Sequence, residues 1–169
     1  MEGRRRIFLG IIVLAVVAAG YLYYTLVYQK QPAKVTFDFP KTTQVSSEFS
    51  VPLKVSVPIA TNAAEFYFSF PNDLIEVKSI DTTDSIFQLW ITDQPSFDNK
   101  KGLISFAGGL PTPGFTGNDG LIATVKFKVK KAGSGQITLD QEKSRILAND
   151  GEGTEIDSRF QPINFKTND

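Results

Sequence analysis

Between Phe49 and Val57 every second residue is apolar: Phe49, Val51, Leu53, Val55 and Val57 alternate with Ser50, Pro52, Lys54 and Ser56. Successive side chains of a strand point to opposite faces, so a period of two makes one dry face and one wet face, whereas a helix needs a period near 3.6. The pattern returns in Val35, Phe37 and Phe39, in Phe66, Phe68 and Phe70, and in Leu121, Ala123, Val125, Phe127 and Val129, whose partners Thr124, Lys126, Lys128 and Lys130 face water. "SIFQLWIT", "GLISFAGG", "GQITLD", "SRILA" and "QPINFK" read as further short strands. Turn residues break the pattern about every ten residues, and roughly nine short strands without a helical period specify an all-β sandwich.

Two breaks in the pattern carry information. Pro52 cannot donate to a ladder, so its strand is expected to lie at an edge or to bulge there. The stretch from Gly108 to Gly120 holds five glycines and two prolines. It is read as a loop that crosses between sheets and presents a shaped rim. No phosphate cradle follows from those glycines, because a strand and not a helix comes after them.

Ahead of the strands, Ile7–Tyr28 is a run of 22 uncharged residues preceded by Arg4, Arg5 and Arg6. At about 1.5 Å per residue it reaches roughly 33 Å, enough for a hydrocarbon core of about 30 Å. The arginines keep the N-terminus in the cytoplasm, and Tyr21, Tyr23, Tyr24 and Tyr28 suit the far interface. The chain is therefore divided into a basic cytoplasmic tail (1–6), a transmembrane signal anchor (7–28), a linker (29–34) and an extracytoplasmic domain (35–169). The competing reading is a signal peptide cleaved near Ala18-Ala19-Gly20, against which the apolar run is long.

Composition closes off most chemistry. The chain has neither Cys nor His, which removes thiol nucleophiles, imidazole bases, disulfides and the usual zinc and copper ligand sets. Its charges cancel, 18 Lys and Arg against 18 Asp and Glu, and no basic face exists for nucleic acid. Asp81, Asp84, Asp93, Asp98, Asp119, Asp150, Glu152 and Asp157 all fall in expected turns, where aspartate shapes the backbone. The segment "NDGEGTEID" has oxygen ligands at alternate positions but lacks the spacing of an EF-hand. A structural calcium among Asn149, Asp150, Glu152 and Asp157 is the minor reading beside a solvated turn, and no cofactor is expected.

The segments "AAEFYFSFPNDLIEVKSI", "GLISFAGG", "GLIATVKFKVKKAGSGQITL" and "RILANDGEGTEI" resemble, in order and spacing, successive strands of the cohesin family. Cohesins hold dockerin-bearing enzymes in cellulosomes and related surface assemblies. The resemblance covers roughly residues 34–167 and implies a nine-stranded jelly-roll sandwich, a fold shared with carbohydrate-binding modules, and protein docking in place of catalysis. Ala63 and Glu65 stand where cohesins of well-studied dockerins often carry Asn and Asp, so the implied partner is dockerin-like or a divergent relative.

By this resemblance the contact face is the sheet of the Phe-rich strand. If Phe66, Phe68 and Phe70 point inward, Glu65, Tyr67 and Ser69 point outward. Gln88, Trp90, Ser105, Leu110 and Phe115 complete the expected face. Trp90 lies in a segment apolar in both parities, and Leu110 and Phe115 also suit loop anchors, so these three have a core reading as well. The alternative function is carbohydrate binding, linked to polysaccharide breakdown. A sugar platform needs several flat aromatics, and beyond the anchor the chain offers one Trp, one Tyr and otherwise Phe.

Overall fold

The computed structural model describes residues 2–28 and 31–169. Met1 of the basic tail, and Gln29 and Lys30 of the expected linker, lie outside the described residues. The chain divides into two compact units, Met1–Gln31 and Pro32–Asp169. In the first, helix α1 (Glu2–Tyr23) runs into a π-helical turn, Tyr24–Tyr28. Residues Arg6–Val27 are long and apolar enough to cross a membrane, and their apolar side chains stand exposed.

The second unit is a jelly-roll sandwich whose twelve strand segments are β1 (Ala33–Phe37), β2 (Thr42–Gln44), β3 (Glu48–Ser69), β4 (Ile75–Asp81), β5 (Leu89–Trp90), β6 (Ser96–Asp98), β7 (Leu103–Gly109), β8 (Phe115–Val129), β9 (Gly133–Leu139), β10 (Arg145–Ala148), β11 (Ser158–Arg159) and β12 (Ile163–Asn168). β1 begins inside the expected linker. Ala33 is fully buried and its N–H donates to Asp157 O at 2.7 Å, so the domain starts two residues earlier than the period-two pattern alone indicates.

β3 organises the fold. Its first half pairs with β1 on one side and β8 on the other, and β8 carries β4 at the edge. Its second half pairs with β7, β10 and the end of β9, and β9 passes the ladder on to β12 and β2. Val51, Leu53, Val55 and Val57 are buried, and then the buried parity changes to Ala64, Phe66 and Phe68. That change spans two register breaks against β8, at Val55/Val57 and Val57/Thr61. A strand that changes phase can present its dry side to the core from both layers. Two strands expected from the sequence are thus one strand with a phase switch at Pro58–Asn62.

A second irregularity follows Pro52. The register passes from Leu53↔Ala123 to Lys54↔Leu121, leaving Ile122 as the extra residue of a bulge. Ile122 is completely buried and Leu121 only half-buried, which corrects the inward assignment of Leu121. Pro52 stands one residue before this bulge, where β1 ends, so its missing N–H interrupts little of the ladder. The Gly108–Gly120 stretch is likewise mostly strand. Gly108 and Gly109 close β7, Leu110–Gly114 turns, and β8 begins at Phe115.

Every residue of the hydrophobic core lies between Ala33 and Phe165. The domain therefore owns its whole core and needs nothing from the helix to bury it. Fragment 31–169 is expected to give a strand-type circular dichroism spectrum and one cooperative melt. A non-cooperative melt would show that the helix is needed for folding.

Candidate functional site

The second half of β3 sets its outward side chains by strict alternation. Phe66 and Phe68 fill the core, so Glu65, Tyr67 and Ser69 emerge on the other side. The ladder with β7 places Ser105 directly beside Tyr67 and Leu103 beside Ser69. On the far side β10 places Arg145 beside Glu65 and Leu147 beside Ala63.

Tyr67, Ser69 and Ser105 line one groove of about 570 Å³, together with Ser96, Leu103 and Thr138. Its hydroxyls are held by one another: Ser69 and Thr138 at 2.6 Å, Ser96 and Ser105 at 2.9 Å, with Ser105 Oγ donating to Gln94 Oε1 at 3.1 Å. The backbone under Tyr67 is equally fixed. Its N–H donates to Ser144 Oγ at 3.0 Å, and its carbonyl accepts from Asp140 N at 2.8 Å. Preorganised walls of this kind lose little freedom when a partner is bound.

Two ion pairs border the groove. Lys143 Nζ lies 2.8 Å from Asp140 Oδ2 in the turn after β9, and Lys101 Nζ lies 3.8 Å from Asp98 Oδ2 in the turn after β6. Both turns have the spacing Asp-x-x-Lys, and this repeat in "DNKK" and "DQEK" is the signal that could have found them from sequence. The hydrogen bond and charge of Lys143 hold the Asp140 carboxyl below its ordinary value, and Asp140 raises Lys143 in return. The Lys101 N–H, with lesser help from the Lys100 N–H and both lysine charges, lowers Asp98.

The remaining expected contacts divide differently. Trp90 pairs in register with Gly108, which shares its side of β7 with the buried Phe106, so the indole faces the core and meets Phe87 edge-on at 5.4 Å. Its neighbours take the outward side: Leu89 and Ile91 are 64% and 54% exposed. Trp90 is partly buried against the core, which is the second of the two readings that a segment apolar in both parities allows. Gln88 is exposed just before β5 and does not line the groove. Leu110 and Phe115 pack on the core, and the Phe115 ring lies so close over Gly120 that a Cβ there would come within 2.6 Å of it. They hold the loop in place.

The turn carboxylates serve the backbone. Asp81 accepts from Thr83, Asp98 from the N–H groups of Lys100 and Lys101, and Asp150 from those of Glu152 and Gly153. Asn149 ties two loops through Pro113 O and Asn62. Among the described residues no group of three or more acidic side chains is placed to hold a metal ion.

The family model of the cohesin domain matches residues 33–164. The chain belongs to the cohesin family. No match is found among curated proteins. Among solved structures, this cohesin is similar to the third cohesin of ScaC from Acetivibrio cellulolyticus, solved in complex with the ScaB dockerin, at 19% identity and a TM-score of 0.62 over 81% of this chain and 99% of that one. It is similar to the cohesin module of a family 33 glycoside hydrolase from Clostridium perfringens, at 15% identity and a TM-score of 0.62 over 81% and 97%. A third, the OlpA cohesin of Clostridium thermocellum in complex with a dockerin, has 14% identity and a TM-score of 0.61 over 81% and 99%. At these identities the likeness is one of fold.

The pH response of this cohesin follows from its side chains. Glu48, Asp81, Asp98, Asp140 and Asp150 are all lowered by hydrogen bonds or adjacent lysines. A carboxylate lowered in the folded state contributes stability above its unfolded value, here 3.8 for aspartate, and loses it as pH falls through the folded one. Lys143 is raised from 10.5, so its contribution is lost only above that pH. With no histidine in the chain, the melting temperature of fragment 31–169 is expected to stay level from pH 6 to 9 and to fall below pH 4. A slope between pH 6 and 8 in thermal melts would contradict this.

Proposed function

We propose that this cohesin is a non-catalytic docking module, held at the outer surface of a membrane by its N-terminal helix, that grips a dockerin-like protein through the Tyr67 face. One observation carries the reading: an aromatic residue lines a groove on a hydrogen-bonded sheet face, with hydroxyls beside it and charge pairs on its borders. Such a face offers a central anchor and a polar rim, as protein interfaces do. Solved relatives of the same fold were captured with dockerins bound. Arg4, Arg5 and Arg6 ahead of the apolar helix support a cytoplasmic N-terminus and an external domain. Tethering would make any bound protein a surface-attached one.

The test is affinity capture from the source organism's proteome on fragment 31–169, with and without a calcium chelator. Recovery of a calcium-dependent repeat protein, absent from a parallel Tyr67→Ala column, supports docking. Retention of the fragment on insoluble polysaccharide with no protein captured would move the function to glycan binding.

A further inference from the structure

Next to the groove, the same outward face contains a second and smaller hollow, of about 100 Å³. It is lined by Ala63, Ala64, Gly108, Ile91 and Leu147, with the charged Glu65 and Arg145. Glu65 and Arg145 are direct cross-strand neighbours of opposite sign. Such neighbours ordinarily attract, yet these two form no ion pair, whereas five lysines elsewhere each hold an acidic partner within 4 Å. Among the described residues neither side chain donates or accepts a hydrogen bond, so both polar groups are left for a third party.

The lining then favours what enters. Its uncharged members are all apolar or glycine, and its volume is below that of the apolar cavity of about 150 Å³ that holds benzene, so it suits a small branched aliphatic side chain. We propose that this hollow is a specificity pocket of the docking face that takes one Val, Ile or Leu side chain of the protein partner. Arg145 then meets a carboxylate, and Glu65 a cation, on the residues flanking that side chain. The pocket rests on the docking reading above and adds to it the kind of residue the partner must carry.

A phage-displayed library of helical hairpins with randomised surfaces, selected on fragment 31–169, tests it. Binders that compete at Tyr67 are expected to share one position restricted to Val, Ile or Leu. They should lose at least tenfold in affinity on Ala63→Leu, which adds bulk to the lining of the hollow. Leu147→Ala, which widens it, should admit Phe or Met at that position, a gain that a misfolded variant could not produce. Tyr67-dependent binders with no aliphatic restriction, or with equal affinity for Ala63→Leu, would overturn the pocket and leave the docking face standing. Binders that all ignore Tyr67→Ala, or no binders at all, would overturn both.

Discussion

Tyr67→Ala is expected to weaken partner binding by about thirtyfold or more and to leave the melting temperature of the domain within about 2 °C. A central aromatic at a protein interface is worth about 2 kcal/mol or more when truncated, and about 1.4 kcal/mol is a factor of ten. Tyr67 meets the conditions for such an anchor. It is half-buried among Ser69, Ser105 and Thr138, its backbone is fixed by Ser144 and Asp140, and its ring and hydroxyl can be desolvated together. Truncation removes nothing from the core, because Phe66 and Phe68 on either side point the other way. Surface changes of this sort usually stay within about 0.5 kcal/mol. Calorimetric titration with the captured partner and thermal melts measure the two quantities separately. Lys54→Ala, on the outward side of the other half of β3, is the control expected to leave affinity unchanged. Equal loss from both variants would mean that Tyr67 is not a contact.

Alternation was the most legible property of this chain, and it carried the core. Residues such as Val51, Phe66, Phe68 and Phe127 sit where a period of two puts them, and Tyr67 is outward for the same reason. Alternation fails wherever a residue is inserted, because a bulge has no sequence signature of its own. Ile122 took the interior place that pattern assigns to Leu121, and the phase switch at Pro58–Asn62 hid the continuity of β3. It also fails where both parities are apolar. Around Trp90 the ladder to Gly108 settles which side is dry, and only pairing partners far along the chain determine that ladder. The border of the groove was legible in principle, since Asp-x-x-Lys recurs after two strands. That the two turns approach the same tyrosine is a fact of topology, as is the meeting of Glu65 with Arg145 across 80 residues of chain.

Phe127→Ala should cost the domain about 3–5 kcal/mol, the usual range for removing a buried phenylalanine, out of a total that for most domains is about 5–15 kcal/mol. Phe127 has no exposed surface, and its ring is surrounded by four others: Phe39 at 5.3 Å, Phe37 at 5.9 Å, Phe70 at 6.1 Å and Phe49 at 6.2 Å. These come from β1, β3 and the residues just after each, so the ring ties β8 to its ladder neighbour β3 and to β1 in the core. The cost depends on whether the space left behind can collapse. Here the walls are aromatic rings on strands that are themselves paired on both sides, β3 above all, and they cannot close the gap without breaking ladder hydrogen bonds. The upper part of the range is therefore expected, a fall in melting temperature on the order of 10 °C for a domain of this size. Phe97→Ala removes the same atoms from a ring that is 42% exposed at the edge strand β6. It should cost clearly less than Phe127→Ala, because part of the ring already faces water and no enclosed cavity opens. Chemical denaturation of the two variants side by side isolates burial from side-chain type. If Phe127→Ala proves no more costly than Phe97→Ala, the packing of aromatic rings is not what holds the sandwich together.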